Sequence, residues 1–391
     1  MSKEMRTYDL VVIGGGPAGI VGASVATDSH KSVALVDDHH ELGGAGVNTG
    51  TVPSKTLRET ALALSGLKTR DLCGVDLSLR REATVADFLG HEQHVRAGFN
   101  AMIASRLQYH KTDIYCGVAS FVDPHTVRLC DAKSRIAGEM QPVHEGETLV
   151  YGKSILIATG SSPARPTTFP FGSAEIYDSD TILELDRLPK TLAVVGAGVV
   201  GSEYGCTFAA LGTQVHIVDG RDSLLPFLDG EVSRALVTGM ERHGIIFHWK
   251  EEVLACNAAP AGVTLKLSSG PLLTVDAVLV AAGRKSNTDT LSLAVAGVQT
   301  GERGLIPVDE YLRTNVPHIY AAGDVIGFPA LASTSMEQAR RAVRYALGLK
   351  VPEFSHLLPN GIYTIPEVSM VGETEESLQK HGVEYIVGRA R

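Results

Sequence analysis

Cysteine is scarce and badly spaced for chemistry. The 391 residues hold five, at positions 73, 116, 130, 206 and 256, and no pair has the CxxC or CxxxxC spacing of a redox or zinc motif, so they read as free thiols of a reducing cytosol. Positive charge is also short. Lys and Arg number 35 against 44 Asp and Glu, a net charge of −9 with no clustered basic stripe, which excludes the surface of a general nucleic-acid binder. No stretch reaches the ~18 uncharged apolar residues of a membrane span. The apolar run over residues 10–26 lies near Lys3 and Arg6, but Gly14, Gly15, Gly16 and Pro17 break it, so it does not read as a signal-peptide core. The 14 histidines are scattered, and His91 and His94 miss the HExxH spacing by one position, leaving no metal motif.

Glycine, by contrast, is plentiful. There are 41, and several fall in an internal repeat. Residues 8–13 read as an apolar strand, followed by Gly14-Gly15-Gly16-Pro17-Ala18-Gly19, a helix, a strand over 32–36 and then Asp37. The second copy is a strand over 191–195, Gly196-Ala197-Gly198-Val199-Val200-Gly201, a helix to Leu211, a strand over 214–218 and Asp219. The offset is the same for the first glycines (196 − 14 = 182) and for the acids (219 − 37 = 182). A single GxGxxG in so glycine-rich a chain is as readily an ordinary tight turn. Here each copy stands between a strand and a helix and ends in a carboxylate, which is the dinucleotide-binding pattern. The first Gly permits the turn, the second lets the backbone approach a pyrophosphate, and the third packs helix on strand. The helix N-terminus then offers N–H groups to the phosphates. Two copies imply two dinucleotides.

Residues 154–160 (SILIATG) and 277–283 (AVLVAAG) both read as apolar strands ending in a small-residue turn, each closing one nucleotide unit at Gly160 and Gly283. Residues 319–324 (IYAAGD) form a further buried strand ending in Asp324, placed to reach a ligand polyol. Length supports two or three cores at ~150 residues each. The expected fold is therefore α/β: two Rossmann-like dinucleotide-binding domains, the second (169–284) inserted in the first (1–168 and 285–352), with 353–391 as the start of an antiparallel domain. Residues 84–109 have helical composition with Val85, Phe88, Val95, Phe99, Ile103 and Leu107 in i, i+3, i+4 steps, and read as an ordinary core-facing helix.

The paired fingerprints, the run from Gly43 through Gly44, Gly46 and Thr51 to Pro53-Ser54-Lys55, and the Ala322-Gly323-Asp324 segment together resemble the FAD-containing pyridine nucleotide–disulfide reductases over essentially the whole chain. The resemblance implies that the first fingerprint (Gly14, Gly16, Gly19) holds FAD, with Gly44 and Gly160 beside it, Asp37 on its adenosine ribose and Asp324 near its ribityl chain. The second (Gly196, Gly198, Gly201, with Gly283) would hold NAD(P). One departure is chemical. The disulfide-reducing members carry cysteines where this chain has Gly46 and Thr51, so it has no dithiol to pass electrons to a disulfide. Thr51, the Val-Pro-Ser-Lys that follows, residues 176–180 (IYDSD) and residues 361–367 (GIYTIPE) are similar to the soluble Si-specific pyridine nucleotide transhydrogenases. That likeness implies hydride transfer from NADPH through FAD to NAD⁺, with Lys55 near flavin N5 and Glu203 paired to it. Read without the resemblance, Lys55 and Glu203 are two unrelated surface charges. Thr51 caps a helix beginning near Pro53, placing its hydroxyl by the flavin or satisfying the backbone, and the two are compatible.

Two rival activities stay open on the sequence: an NAD(P)H oxidase or diaphorase, and a non-catalytic nucleotide-binding flavoprotein. Asp219 accepts from an NAD ribose and repels a 2′-phosphate, while Arg221 attracts that phosphate or is simply a solvated charge. The family continues past Arg391 through an antiparallel interface domain that forms a homodimer. The resemblance therefore implies a chain cut short within that domain, with residues 362–371 lacking partners and dimerisation in doubt.

Overall fold

A computed structural model describes residues 5–66, 84–136, 139–142, 148–259, 262–353 and 357–390; Cys73 lies outside them. Two compact units divide the chain: 1–53, 93–162 and 284–353 form the first, and 54–92, 163–283 and 354–391 the second. The expected interruption is thus more finely divided. Residues 54–92 and 354–391 both fall in the second unit, where the sequence reading put them in the first domain and in a separate one.

The first unit is built on a seven-stranded sheet in the order Ile319–Ala321, Thr148–Ile157, Arg6–Ile13, Val33–Asp37, Asp113–Phe121, Thr126–Ile136, Glu139–Pro142. The first five strands are mutually parallel and the last two antiparallel. A parallel strand buried on both faces needs an unbroken apolar run rather than alternation. Leu10 to Ile13 supply one. Leu10 and Val12 pack with Ala18, Ala23, Ala339 and Val343 of the helices Pro17–Asp28 and Ala332–Ala346, while Val11 and Ile13 face Tyr115, Leu291 and Ile306 on the other side.

In the second unit the parallel sheet has the order Ile246–Trp249, Gln214–Asp219, Thr191–Val195, Ala277–Val280, Ile176–Tyr177. Leu192 and Val194 meet Tyr204 and Phe208 of the helix Val199–Ala210, and Ala193 meets Val263 and Leu265 of an antiparallel three-stranded sheet.

The two fingerprints are the same object in both units. Gly14 and Gly196 each have φ of +109°, and a Cβ on either would run into a backbone carbonyl, of Ala158 or of Ala281. A Cβ on Gly19 or Gly201 would likewise strike the carbonyl oxygen of Gly14 or Gly196. The second glycines are different: a Cβ on Gly198 meets nothing within 4 Å. Sterics hold the first and third positions to glycine, and the second stays open toward whatever the helix N-terminus receives.

Three local expectations change. The helix Thr51–Ser65 takes Thr51 as its first residue, so it starts two residues early and Pro53 sits in its first turn, where a missing N–H costs nothing. The helix Val85–Tyr109 is not uniformly core-facing: Phe88 and Leu107 are fully buried, but Phe99 in between is exposed, because Phe88 packs on Phe208 of the second unit and Leu107 in the first. Residues 362–371 do find partners. Asn360–Ile362 pairs antiparallel with Val368–Met370, and Ile362 and Ile365 are buried in the core of the second unit.

His216 and His248, on adjacent strands, share a 3.0 Å Nδ1···Nε2 contact. Burial lowers the pKa of both, the neighbouring ring adding to the effect at His216 and Glu251 opposing it at His248. The unfolded chain takes up protons near about pH 6.5 while the folded pair resists, so this contribution is complete above that pH and declines below it. Melting temperature should drop between pH 7.5 and 5.5. His248→Gln should flatten the drop, and an unchanged slope in that variant would exclude the pair as its source.

Candidate functional site

In the first unit the acid ending the second strand closes back on the fingerprint. Asp37 Oδ2 accepts from the Gly15 N–H at 2.5 Å and Oδ1 from the His39 N–H at 2.8 Å. Burial pushes its pKa up against these bonds. Gly44 opens the short helix Gly44–Val47, and the Gly160 carbonyl accepts from the Asn287 N–H at 3.0 Å. Asp324 Oδ2 accepts from Ser161 Oγ at 2.9 Å, and that hydroxyl in turn accepts from Arg284 Nε at 2.7 Å. Ser161 and Arg284 carry no motif of their own, and the sequence reading missed them. Thr159 Oγ1, beside the residue that Gly14 packs on, and Thr334 Oγ1, in the first turn of Ala332–Ala346, are buried without a hydrogen-bond partner. Buried hydroxyls are normally satisfied. An unpartnered hydroxyl at Thr159, beside the fingerprint glycine Gly14, fits a bound group rich in polar atoms.

The second unit repeats the closure. Asp219 Oδ2 accepts from the Ala197 N–H at 2.6 Å, as Asp37 does from Gly15. The hydroxyl of Ser202, directly after Gly201, is buried and unpartnered. The Gly283 carbonyl accepts from the Ala164 N–H at 2.9 Å. Asp219 and Arg221, expected to favour an NAD ribose and a 2′-phosphate respectively, pair with each other. Arg221 Nε reaches Oδ1 at 2.9 Å and Nη2 reaches Oδ2 at 2.7 Å, a fork-on-fork arrangement. Burial would raise the Asp219 pKa, but the guanidinium and the Ala197 and Arg221 N–H groups outweigh it and hold the carboxyl down to about 2. Asp219 is buried and the Arg221 side chain is half exposed.

Lys55 and Glu203 come together although 148 residues separate them. Lys55 Nζ lies 2.6 Å from Glu203 Oε2, the carboxylate nearly buried and the lysine about one-third exposed. Helix Thr51–Ser65 brings the first and helix Val199–Ala210 the second. Tyr363 joins them: its N–H donates to Glu203 Oε1 at 2.9 Å, and its ring centroid lies 5.0 Å from Nζ. One turn along from Lys55, the buried Arg58 donates from Nε and Nη2 to the Thr364 carbonyl at 3.2 and 3.1 Å. The residue string at 361–367 was visible in the sequence, but nothing in it says which helix it meets. Thr51 is exposed at the start of its helix.

The family described as pyridine nucleotide-disulphide oxidoreductase matches residues 8–346. The soluble pyridine nucleotide transhydrogenase of Mycobacterium tuberculosis is 45% identical over 387 residues, 99% of this chain and 81% of that protein. That of Azotobacter vinelandii is 40% identical over 386 residues, 98% of this chain and 80% of its own length. Among solved structures, the HOCl-induced flavoprotein disulfide reductase RclA from Escherichia coli is similar with a TM-score of 0.82 and 26% identity, covering 96% of this chain and 80% of that one. No helix among the described residues is long and apolar enough to cross a membrane.

Proposed function

We propose, because this chain belongs to the pyridine nucleotide-disulphide oxidoreductase family, that it transfers hydride from NADPH to NAD⁺ through bound FAD. The first unit would hold FAD and the second would take the two nicotinamide nucleotides in turn. The observation that carries the reading is the Lys55–Glu203 pair at 2.6 Å, standing just after a segment that has Gly46 and Thr51 and no thiol between residues 43 and 55. A fixed cation serves hydride chemistry, where negative charge develops and must be met by preorganised charge. Disulfide chemistry needs a thiolate instead. The relatives named transhydrogenase at 45% and 40% identity support the same choice.

FAD, when bound, supplies a two-electron carrier that accepts hydride from one nicotinamide and yields it to another. The chain's own residues position and stabilise. Asp37 accepts from a ribose hydroxyl, Gly14 and Gly19 let strand and helix close on each other so that the open turn at Gly16, with Gly44 and Gly160 beside it, takes the pyrophosphate, and Asp324 with its Ser161–Arg284 support binds a polyol. Lys55 presents positive charge to the reacting ring, Glu203 holds it there, and Thr51 offers a hydroxyl at the start of the same helix. Gly196, Gly198 and Gly201 receive a nicotinamide nucleotide's pyrophosphate beside Gly283, while Asp219 and Arg221 meet its adenosine ribose. The transfer is Si-specific, and the cytoplasm is its setting.

Stopped-flow reduction by NADPH without oxygen, then mixing with NAD⁺, tests this. Rapid reoxidation by NAD⁺ is the expected result. Reoxidation limited by oxygen would make the chain an oxidase or diaphorase, and no reduction at all would make it a nucleotide-binding module. The titration should consume two electrons per flavin, and uptake of four would reveal a redox-active thiol pair.

A further inference from the structure

Lysine is a compact charge on a flexible stem, and a single carboxylate oxygen fixes only one of its three donors. Two further groups close around Lys55: Ser54 Oγ at 3.2 Å from Nζ, and the face of Tyr363 with its centroid at 5.0 Å, inside the ~6 Å reach of a cation–π contact. The same residue also holds the counter-ion, since its N–H donates to the second Glu203 oxygen, Oε1, at 2.9 Å. Tyr363 therefore touches both members of the pair with different groups. Its own backbone is anchored independently of Lys55. Arg58 grips the Thr364 carbonyl, the Thr364 hydroxyl donates to the Pro366 carbonyl at 2.6 Å, and the buried Cys206 thiol donates to the Ile365 carbonyl at 3.7 Å.

We propose that Tyr363 is a positioning residue for Lys55, its ring face holding the ammonium and its N–H orienting Glu203; the importance of this for hydride transfer rests on the role given to Lys55 above. The backbone bond survives any substitution at 363 that keeps the loop in place. The ring face does not. A phenylalanine supplies the same face without the hydroxyl, whereas a leucine supplies bulk without a quadrupole. With leucine the amine leaves the carboxylate more often and extends toward water, as long cationic side chains do when nothing holds them.

The test compares wild type, Tyr363→Phe and Tyr363→Leu as flavin-loaded protein, labelled at fixed pH with a limiting N-hydroxysuccinimide ester and read by peptide mass spectrometry, with exposed lysines as the internal reference. Tyr363→Leu should label Lys55 about fivefold faster than wild type, the scale of one cation–π contact. Tyr363→Phe should restore the slow rate. If Tyr363→Phe labels as fast as Tyr363→Leu, or if neither differs from wild type, the ring face is not what holds Lys55 and the proposal fails. Single-turnover reduction by NADPH, measured on the same samples, separates the two readings. Fast labelling in Tyr363→Leu with slowed reduction and unchanged nucleotide Kd supports both. Fast labelling with an unaltered reduction rate supports the positioning and removes Lys55 from hydride transfer.

Discussion

Lys55→Met should slow the single-turnover reduction of the flavin by NADPH about 10²- to 10³-fold, the range seen when one preorganised stabilising group is removed from a reacting centre. Nucleotide Kd should move less than about threefold, because the ammonium matters most as negative charge develops and little before it. Glu203→Gln acts in the same direction and less, about tenfold, since the amide keeps one oxygen for Lys55 or for the Tyr363 N–H but loses the charge and the second acceptor. The two variants differ in stability too. Lys55→Met leaves a nearly buried carboxylate without its cation, and breaking a buried pair from one side is costly. Lys55 is itself partly exposed, so the cost is about 1–3 kcal/mol rather than the larger figure of a fully buried pair. An unchanged single-turnover rate in Lys55→Met would dissolve the assigned pair as a functional unit.

The second large effect concerns which nucleotide is admitted. In the free protein Asp219 and Arg221 pair with each other, so under the proposed function a 2′-phosphate would have to draw the guanidinium off its carboxylate, while an NAD ribose would share that carboxylate with the guanidinium. Arg221→Ala should weaken NADPH about 10- to 100-fold and leave NADH nearly unaltered, because it removes a bidentate phosphate partner and frees an acid that favours a ribose diol. Asp219→Asn should tighten NADPH by releasing the arginine. Its gain is limited by the loss of one acceptor, since both carboxylate oxygens now serve backbone N–H groups of Ala197 and Arg221. Added salt should shrink both trends, as the screening length falls from about 10 Å at 0.1 M to about 3 Å at 1 M. In the free protein Asp219, held down to about 2 by Arg221 and the backbone N–H groups, stays ionised above pH 4. Equal losses for both nucleotides in Arg221→Ala would favour an NADH-dependent flavoenzyme.

The parallel strands and their glycine turns were legible because their constraints are local: an apolar run reports burial on both faces, and a glycine reports a carbonyl where a Cβ would stand. The closure of Asp37 onto Gly15 and of Asp219 onto Ala197 follows from the same short-range geometry. Lys55 and Glu203 had no such signal, and only the family likeness joined them in the reading. Arg58 on Thr364, Tyr363 on Lys55 and Arg284 on Ser161 link segments more than 100 residues apart through side chains that any exposed stretch carries. The pairing of Asp219 with Arg221 was missed for a different reason. Two residues apart, they are free either to meet or to point away, and only the turn after the strand decides. The exposure of Phe99 between the buried Phe88 and Leu107 likewise is not encoded in periodicity alone.

The fingerprint written twice, with Gly14 and Gly196 at the same φ and each against a backbone carbonyl of its own unit, Ala158 or Ala281, gives the chain an internal control. A substitution made in one copy has a matched, unaltered twin on the same polypeptide, expressed, purified and assayed in the same tube. Loss of bound flavin with nicotinamide affinity intact, or the reverse, separates a local steric injury from a general failure to fold without recourse to a second protein. Few binding motifs carry their own reference sample, and here the duplication supplies one at a fixed spacing of 182 residues (196 − 14).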